Sequence, residues 1–160
     1  MILTVVARHW VGQSQLAPIL PGAFPRPLPQ YGQNAIIVTA QKPKPLYWVA
    51  SSLEDLRSFP ERVKDGFGHA LYLAQTGRKD PQAKPLKGFR GAGVLEVVED
   101  YAGDTYQAVY TVRFVGAVYV LHAFQKKSKH GIETPKKELD LVRERLRRAE
   151  RHYANAQEKN

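Results

Sequence analysis

No cysteine occurs in the chain, so a disulfide framework, a thiolate nucleophile and thiolate-bound zinc are all excluded. A long hydrophobic run is missing too. The most apolar stretch, Phe114–Ala123, is about half the roughly 20 residues that a membrane-spanning helix needs. The opening residues, Met1 to Ala7, lack the basic flank of a secretory signal and are cut short by Arg8-His9. These absences point to a soluble, cytoplasmic protein without membrane partners. Acidic residues are absent from the first 45 positions, which hold four basic side chains and seven of the eleven prolines. Each proline removes a backbone donor and restricts its predecessor, so helices and central strands are excluded at that density. Residues 12–45 therefore read as irregular, with one short strand expected at Ala35–Val38. Residues 1–43 are either a flexible extension or the product of a misassigned start, with initiation near Val38 as the hypothesis.

What is present is positive charge. The 160 residues carry 24 Lys and Arg against 15 Asp and Glu, a net of +9. The excess is uneven: residues 46–110 are close to neutral, whereas residues 111–160 hold twelve basic and six acidic side chains. A basic C-terminal third suits a polyanion or an acidic protein, although a solvated helix face produces the same count.

Regular patterning begins after Pro45. Leu46–Val49 reads as a short strand, and Ser51 with Glu54 has the spacing of a capping box opening a helix that ends near Ser58. Pro60 suits a helix first turn; Val63, Phe67, Ala70, Leu71 and Ala74 follow at helical spacing up to Gly77. Gly66 and Gly68 inside that helix suggest close packing against a neighbour. After a Lys-, Gly- and Pro-rich loop, three strands are expected at Val94–Glu99, Thr105–Phe114 and Ala117–Phe124, joined by short turns into an antiparallel meander. In the middle strand Tyr106, Ala108, Tyr110, Val112 and Phe114 share one face, to be covered by the helices. Gln107, Val109, Thr111 and Arg113 share the other, expected to face outward. Thr134-Pro135 should start a last helix with Leu139, Val142, Leu146, Ala149 and Tyr153 along one stripe. Lys137, Arg143, Arg145, Arg147, Arg148 and Arg151 are assigned to its opposite face.

Chemistry has few places to reside. No two of the five histidines stand at a ligand spacing on one element, so no metal site is expected. Gly88 to Gly93 matches neither a phosphate-binding loop nor a dinucleotide fingerprint, no nucleophile elbow is recognisable, and no cofactor is implied. The remaining candidates are basic. Lys84, Lys87 and Arg90 precede the sheet, Arg113 ends its middle strand, His122 lies on the last strand, and Lys126, Lys127 and Lys129 follow. Converging on one outer face, they could bind phosphates, or also stabilise a transition state while a titratable group moves protons. His122 reads equally as a buried strand residue on the face of Val118, Val120 and Phe124.

Three stretches carry a family resemblance. They are Lys44-Pro45-Leu46-Tyr47-Trp48-Val49-Ala50-Ser51-Ser52 with Asp55-Leu56 and Phe59-Pro60; Ala83-Lys84-Pro85-Leu86-Lys87-Gly88-Phe89; and Tyr106 to Tyr110 with Leu121-His122-Ala123-Phe124-Gln125-Lys126-Lys127-Ser128 and Thr134-Pro135. Together they resemble the RelE/HigB-type toxins of type II toxin–antitoxin systems, in the phage-derived toxin-like branch. The resemblance spans 44–155, leaving 156–160 as a tail. It implies an α+β fold: a small twisted antiparallel sheet, an N-terminal helical hairpin and a C-terminal helix. It further implies a metal-independent, ribosome-dependent mRNA endoribonuclease in which a 2′-hydroxyl attacks the adjacent phosphate, with a cognate helix-turn-helix antitoxin as partner. By similarity Lys84 and Lys87 match the family's basic loop before the sheet, and Lys126 and Lys127 its basic pair after the last strand. The catalytic candidates are His122, for proton transfer, Lys126 and Lys127; the RNA-binding ones are Lys84, Lys87, Arg90, Arg113 and Lys129. The general base stays open among Lys, His and a carboxylate such as Glu96, with Glu96 left outside the candidate set. Gln107 stands where this branch often has arginine, and its shared face with Arg113 suggests a position near the RNA. The alternatives are a ParE-like gyrase-binding toxin and a decayed, non-catalytic RNA-binding homologue.

Overall fold

The computed structural model describes residues 2–5, 42–126 and 134–158. The stretch 12–41, including the expected strand at Ala35–Val38, lies outside them, as do Lys127 and Lys129. Six strands form one sheet: β1 (Ile2–Val5), β2 (Leu46–Val49), β3 (Lys84–Pro85), β4 (Val94–Tyr101), β5 (Asp104–Thr111) and β6 (Val118–Lys126), in the order β1-β2-β6-β5-β4-β3. Helices α1 (Ser52–Arg57) and α2 (Glu61–Gln75) form the hairpin, and α3 (Lys136–Gln157) follows the sheet. The α+β class, meander, hairpin and C-terminal helix are as expected. The structure adds β1, antiparallel to β2, and pairs β2 in parallel with β6. The long excursion through α1, α2 and the meander makes that parallel pairing possible.

The β4–β5 hairpin closes with two residues, Ala102 and Gly103, between the paired Tyr101 and Asp104. Both have positive φ, 52° and 85°, the backbone that twists a two-residue loop in the same sense as its strands. Strand alternation then sends Ala108, Tyr110, Val118 and Val120 to one face, against Leu53, Leu56, Val63, Phe67 and Leu71 of the hairpin. The other face is not solvated. Val94, Val109, Tyr119 and Leu121 pack there against Val142, Leu146 and Ala149 of α3. This corrects the expectation of an outward polar face: Gln107 and Thr111 are fully buried, because the apolar stripe of α3 needs a surface and takes this one. Phe114 also changes sides. β5 ends at Thr111, and the turn beyond it lays Phe114 against Tyr119 and Tyr153 beside α3.

Two expected caps are redirected. Ser51 precedes α1 but makes no side-chain cap; its hydroxyl donates to Asp55 Oδ2 at 2.9 Å and accepts from Arg145. Thr134 turns its hydroxyl to Gln107, and Pro135 stands at the start of α3. In α2 the two interior glycines differ. A methyl group on Gly66 would stand 2.6 Å from Glu99 Oε1 of β4, whereas one on Gly68 would meet nothing within 4 Å. Close packing thus accounts for Gly66 and not for Gly68. Gly68→Ala should stabilise the protein by about 0.5–1 kcal/mol, the helix-propensity difference, in chemical denaturation; Gly66→Ala should gain less because Glu99 must shift.

Candidate functional site

The pairing of β5 with β6 is interrupted where Val109 opposes His122 and Tyr110 opposes Val120, leaving Leu121 as the extra residue of a bulge. The bulge resets the alternation. Val120 and Ala123 belong to the hairpin face, Leu121 and Phe124 to the α3 face. His122 consequently does not share a face with both Val120 and Phe124, as strict alternation would require; its ring stacks on Phe124 at 4.9 Å. Pairing of β2 with β6 stops at Trp48 and Val120. Beyond that point side chains take over the edge: Ser52 Oγ donates to Val120 O at 3.1 Å, and Arg145 Nη1 donates to Leu121 O at 3.0 Å.

Arg145 sits at the centre of this region. It is 6% exposed, and its guanidinium also donates to His122 Nδ1 at 3.1 Å and to Ser51 Oγ at 2.7 Å, with Asp55 Oδ2 at 3.8 Å. A guanidinium has only donors, so His122 Nδ1 must be the acceptor and carries no proton. The imidazole proton is then on Nε2, which donates to Glu138 Oε2 at 2.7 Å. Burial, assisted by the charge of Arg145, holds the His122 pKa below its ordinary value, against the upward pull of Glu138 and Asp55. Both ring nitrogens are therefore occupied, and proton transfer through His122 requires Glu138 or Arg145 to give way.

A second polar group crosses the sheet. Lys84 of β3 is opposite Glu96 of β4, and the buried Gln107 of β5 donates from Nε2 both to Glu96 Oε2 and to Thr134 Oγ1, the latter at 3.1 Å. Lys126 of β6, opposite Thr105, completes a diagonal across four adjacent strands. Burial raises the Glu96 pKa above the ordinary carboxylate value, and the charges of Lys84 and Lys126 and the Gln107 hydrogen bond oppose that rise only in part. The diagonal thus holds two cations around a half-buried carboxyl that retains its proton more readily than an exposed one.

The sequence-selected residues are accordingly divided. Lys84 and Lys126 come together through Glu96. His122 belongs to the neighbouring Arg145 group. Lys87 and Arg90 are exposed on the loop after β3, whose Phe89 ring lies 5.2 Å beneath the guanidinium of Arg143. Arg113 is drawn away to the distal half of α3, where Nη1 pairs with Glu150 Oε1 at 2.6 Å. Gln107, expected near the RNA surface, is fully buried. Lys127 and Lys129 lie outside the described residues. Among the described residues no group of three or more His, Asp or Glu could hold a metal ion, and no helix is long and apolar enough to cross a membrane.

Sequence reasoning assigned Arg145 to the solvent face of α3 and overlooked Asp55 and Glu138. A signal existed. Arg145 lies three residues after Val142 and four before Ala149, on the flank of the buried stripe, and Glu138 lies four before Val142. Basic side chains at such positions usually extend along the apolar surface toward water. Here the carbonyl exposed by the bulge holds the charge inside.

Residues 54–147 match the family model described as phage derived protein Gp49-like (DUF891). No curated protein and no solved structure matches the chain.

Arg145→Ala should lower stability by roughly 3–5 kcal/mol in urea unfolding, since it removes a buried charge and strands the groups it held. His122 tests the same geometry through pH. Its depressed folded pKa contributes stability above the unfolded value near 6.5, which is lost as the pH falls through that value toward the folded one. Unfolding curves of His122→Asn should therefore show a shallower loss between about pH 7 and 5 than those of the unaltered protein.

Proposed function

The chain belongs to the phage-derived Gp49-like family, a toxin-like family often found in toxin–antitoxin systems, and from that premise we propose that it is the toxin of a type II module, a metal-independent endoribonuclease acting on mRNA at the ribosome. The single observation that supports this reading best is the diagonal of Lys84, Glu96, Gln107 and Lys126. Cleavage by a 2′-hydroxyl needs a group to accept its proton and positive charge to stabilise the pentacoordinate phosphate. Glu96, with its raised pKa, suits the first requirement closer to neutral pH than an ordinary carboxylate would. Lys84 and Lys126 suit the second, and Lys127 and Lys129, outside the described residues, stay candidates from the sequence.

His122 fits a supporting part in this scheme. As the Nε2–H tautomer it can donate a hydrogen bond to a phosphate or a leaving oxygen if it releases Glu138. Lys87, Arg90 and Arg113 would hold the RNA backbone farther from the scissile bond. The protein would work in the cytoplasm, where its substrate is translated. Its antitoxin, of the helix-turn-helix type, would cover the basic face with acidic residues.

Induced expression of the full chain in a bacterial host, with growth and mRNA 5′ ends as readouts, tests the proposal. Arrest accompanied by new mRNA ends is expected. Lys84→Ala and Lys126→Ala should each reduce cleavage about 100-fold, the usual loss for one group stabilising transition-state charge, and Glu96→Gln should do the same. Arrest with intact mRNA would favour a ParE-like protein target. Absence of arrest would indicate a decayed homologue.

A further inference from the structure

Between α1, β6 and α3 lies a pocket of about 400 Å³, at the small end of ligand sites. Ala123 of β6 is among its lining residues. Asp55 of α1 and Glu138 of α3 line it from different helices, and the rings of Phe59, Tyr106 and Phe124 supply apolar surface. The chain is strongly basic, yet this pocket is not. Two carboxylates face one guanidinium, that of Arg145, and Arg145 is sealed behind them with 7% of its side chain exposed. His122 adds no compensating charge, since its Nδ1 accepts from Arg145. One negative charge is left over in the lining of a cavity that also carries aromatic rings.

The adjoining backbone is also open to a partner. β2 stops pairing with β6 at Val120, so among the described residues Ala123–Lys126 has a strand on one side only, that of β5. In an antiparallel pair, alternate residues direct their N–H and C=O groups away from the neighbouring strand. Such an edge can accept an extended segment, and pockets beside it then read the segment's side chains.

We propose that this pocket receives an arginine side chain from an extended segment of a protein partner, which adds to the edge of β6. The guanidinium would stack on the aromatic rings and place its fork between Asp55 and Glu138. Arginine suits the site better than lysine because its planar group satisfies both carboxylates at once. The site lies beside the Lys84–Lys126 diagonal and shares His122 and Glu138 with the proposed nuclease scheme, but its occupant is a cation and not an RNA phosphate, so its binding is read without RNA.

The test is a titration of the isotope-labelled full chain, without RNA, followed by amide NMR. The probe is a capped tripeptide with arginine between two valines; the control is the same peptide with neutral citrulline. Saturable shifts at the Ala123 and Gln125 amides with the arginine peptide, and at least about fivefold weaker binding of the citrulline peptide, are expected. Asp55→Asn and Glu138→Gln, each giving a spectrum of the native fold, should each weaken arginine binding by about the same factor. Equal responses to both peptides, no saturable shift, or undiminished binding by both folded variants would overturn the proposal. Shifts with adenosine monophosphate and none with the arginine peptide would overturn it as well, assigning the pocket to nucleotides. None of these results depends on whether the protein cleaves mRNA.

Discussion

The arrangement depends on one buried cation. Arg145 reaches from α3 to a strand carbonyl, a strand imidazole and the hydroxyl that precedes α1, so a single guanidinium joins three elements far apart in sequence. Removing such a charge from water is expensive, and the cost is recovered only when hydrogen bonds are well placed. The β6 bulge supplies the placement. It turns Leu121 O and His122 Nδ1 toward the same side, where five guanidinium donors in a rigid plane can engage both. A regular strand would direct neighbouring groups to opposite sides, leaving the charge with one partner and a larger penalty.

Two polar regions follow from the way α3 crosses the sheet. Near its start, Thr134 meets Gln107, which in turn holds Glu96 between strands carrying Lys84 and Lys126. One turn onward, Glu138 meets His122, and two turns farther Arg145 closes the group. The first region presents cations to solvent around a carboxyl; the second presents carboxylates around an enclosed cation. Their opposite electrostatics stand side by side along one helix.

Much of the architecture was legible before any coordinates. Two-residue alternation and short turns identified the meander, and three-four spacing identified α2 and α3. Lys84 and Lys126 were legible too, because positive charge beside a sheet is conspicuous in a chain with few other reactive side chains. The caps were not. Ser51 and Thr134 have the right identity and spacing, but a hydroxyl bonds to whichever group the fold brings nearest, and here those groups are Asp55, Arg145 and Gln107. The polar face of β5 was misread for a related reason. Gln107 and Thr111 look like solvent-facing residues unless it is known that Glu96, Thr134 and Gly93 O stand ready to satisfy them.

By itself, then, the amino-acid sequence determined the helical hairpin, the meander, the C-terminal helix, their order and the sign of the charge, all of which rest on interactions within a few residues or on simple counts; the edge strands β1 and β3 came only with the structure. Only the tertiary structure decided which charges meet. Periodicity cannot register the single-residue insertion at Leu121, and that insertion turns His122 toward Arg145 and Glu138 instead of leaving it in an unbroken strand. Nor can local spacing show that Arg113 leaves for Glu150 while Lys84 and Lys126 gather at Glu96. Those pairings join residues tens of positions apart, and the packing of α3 across the sheet sets which side chains come within reach of one another.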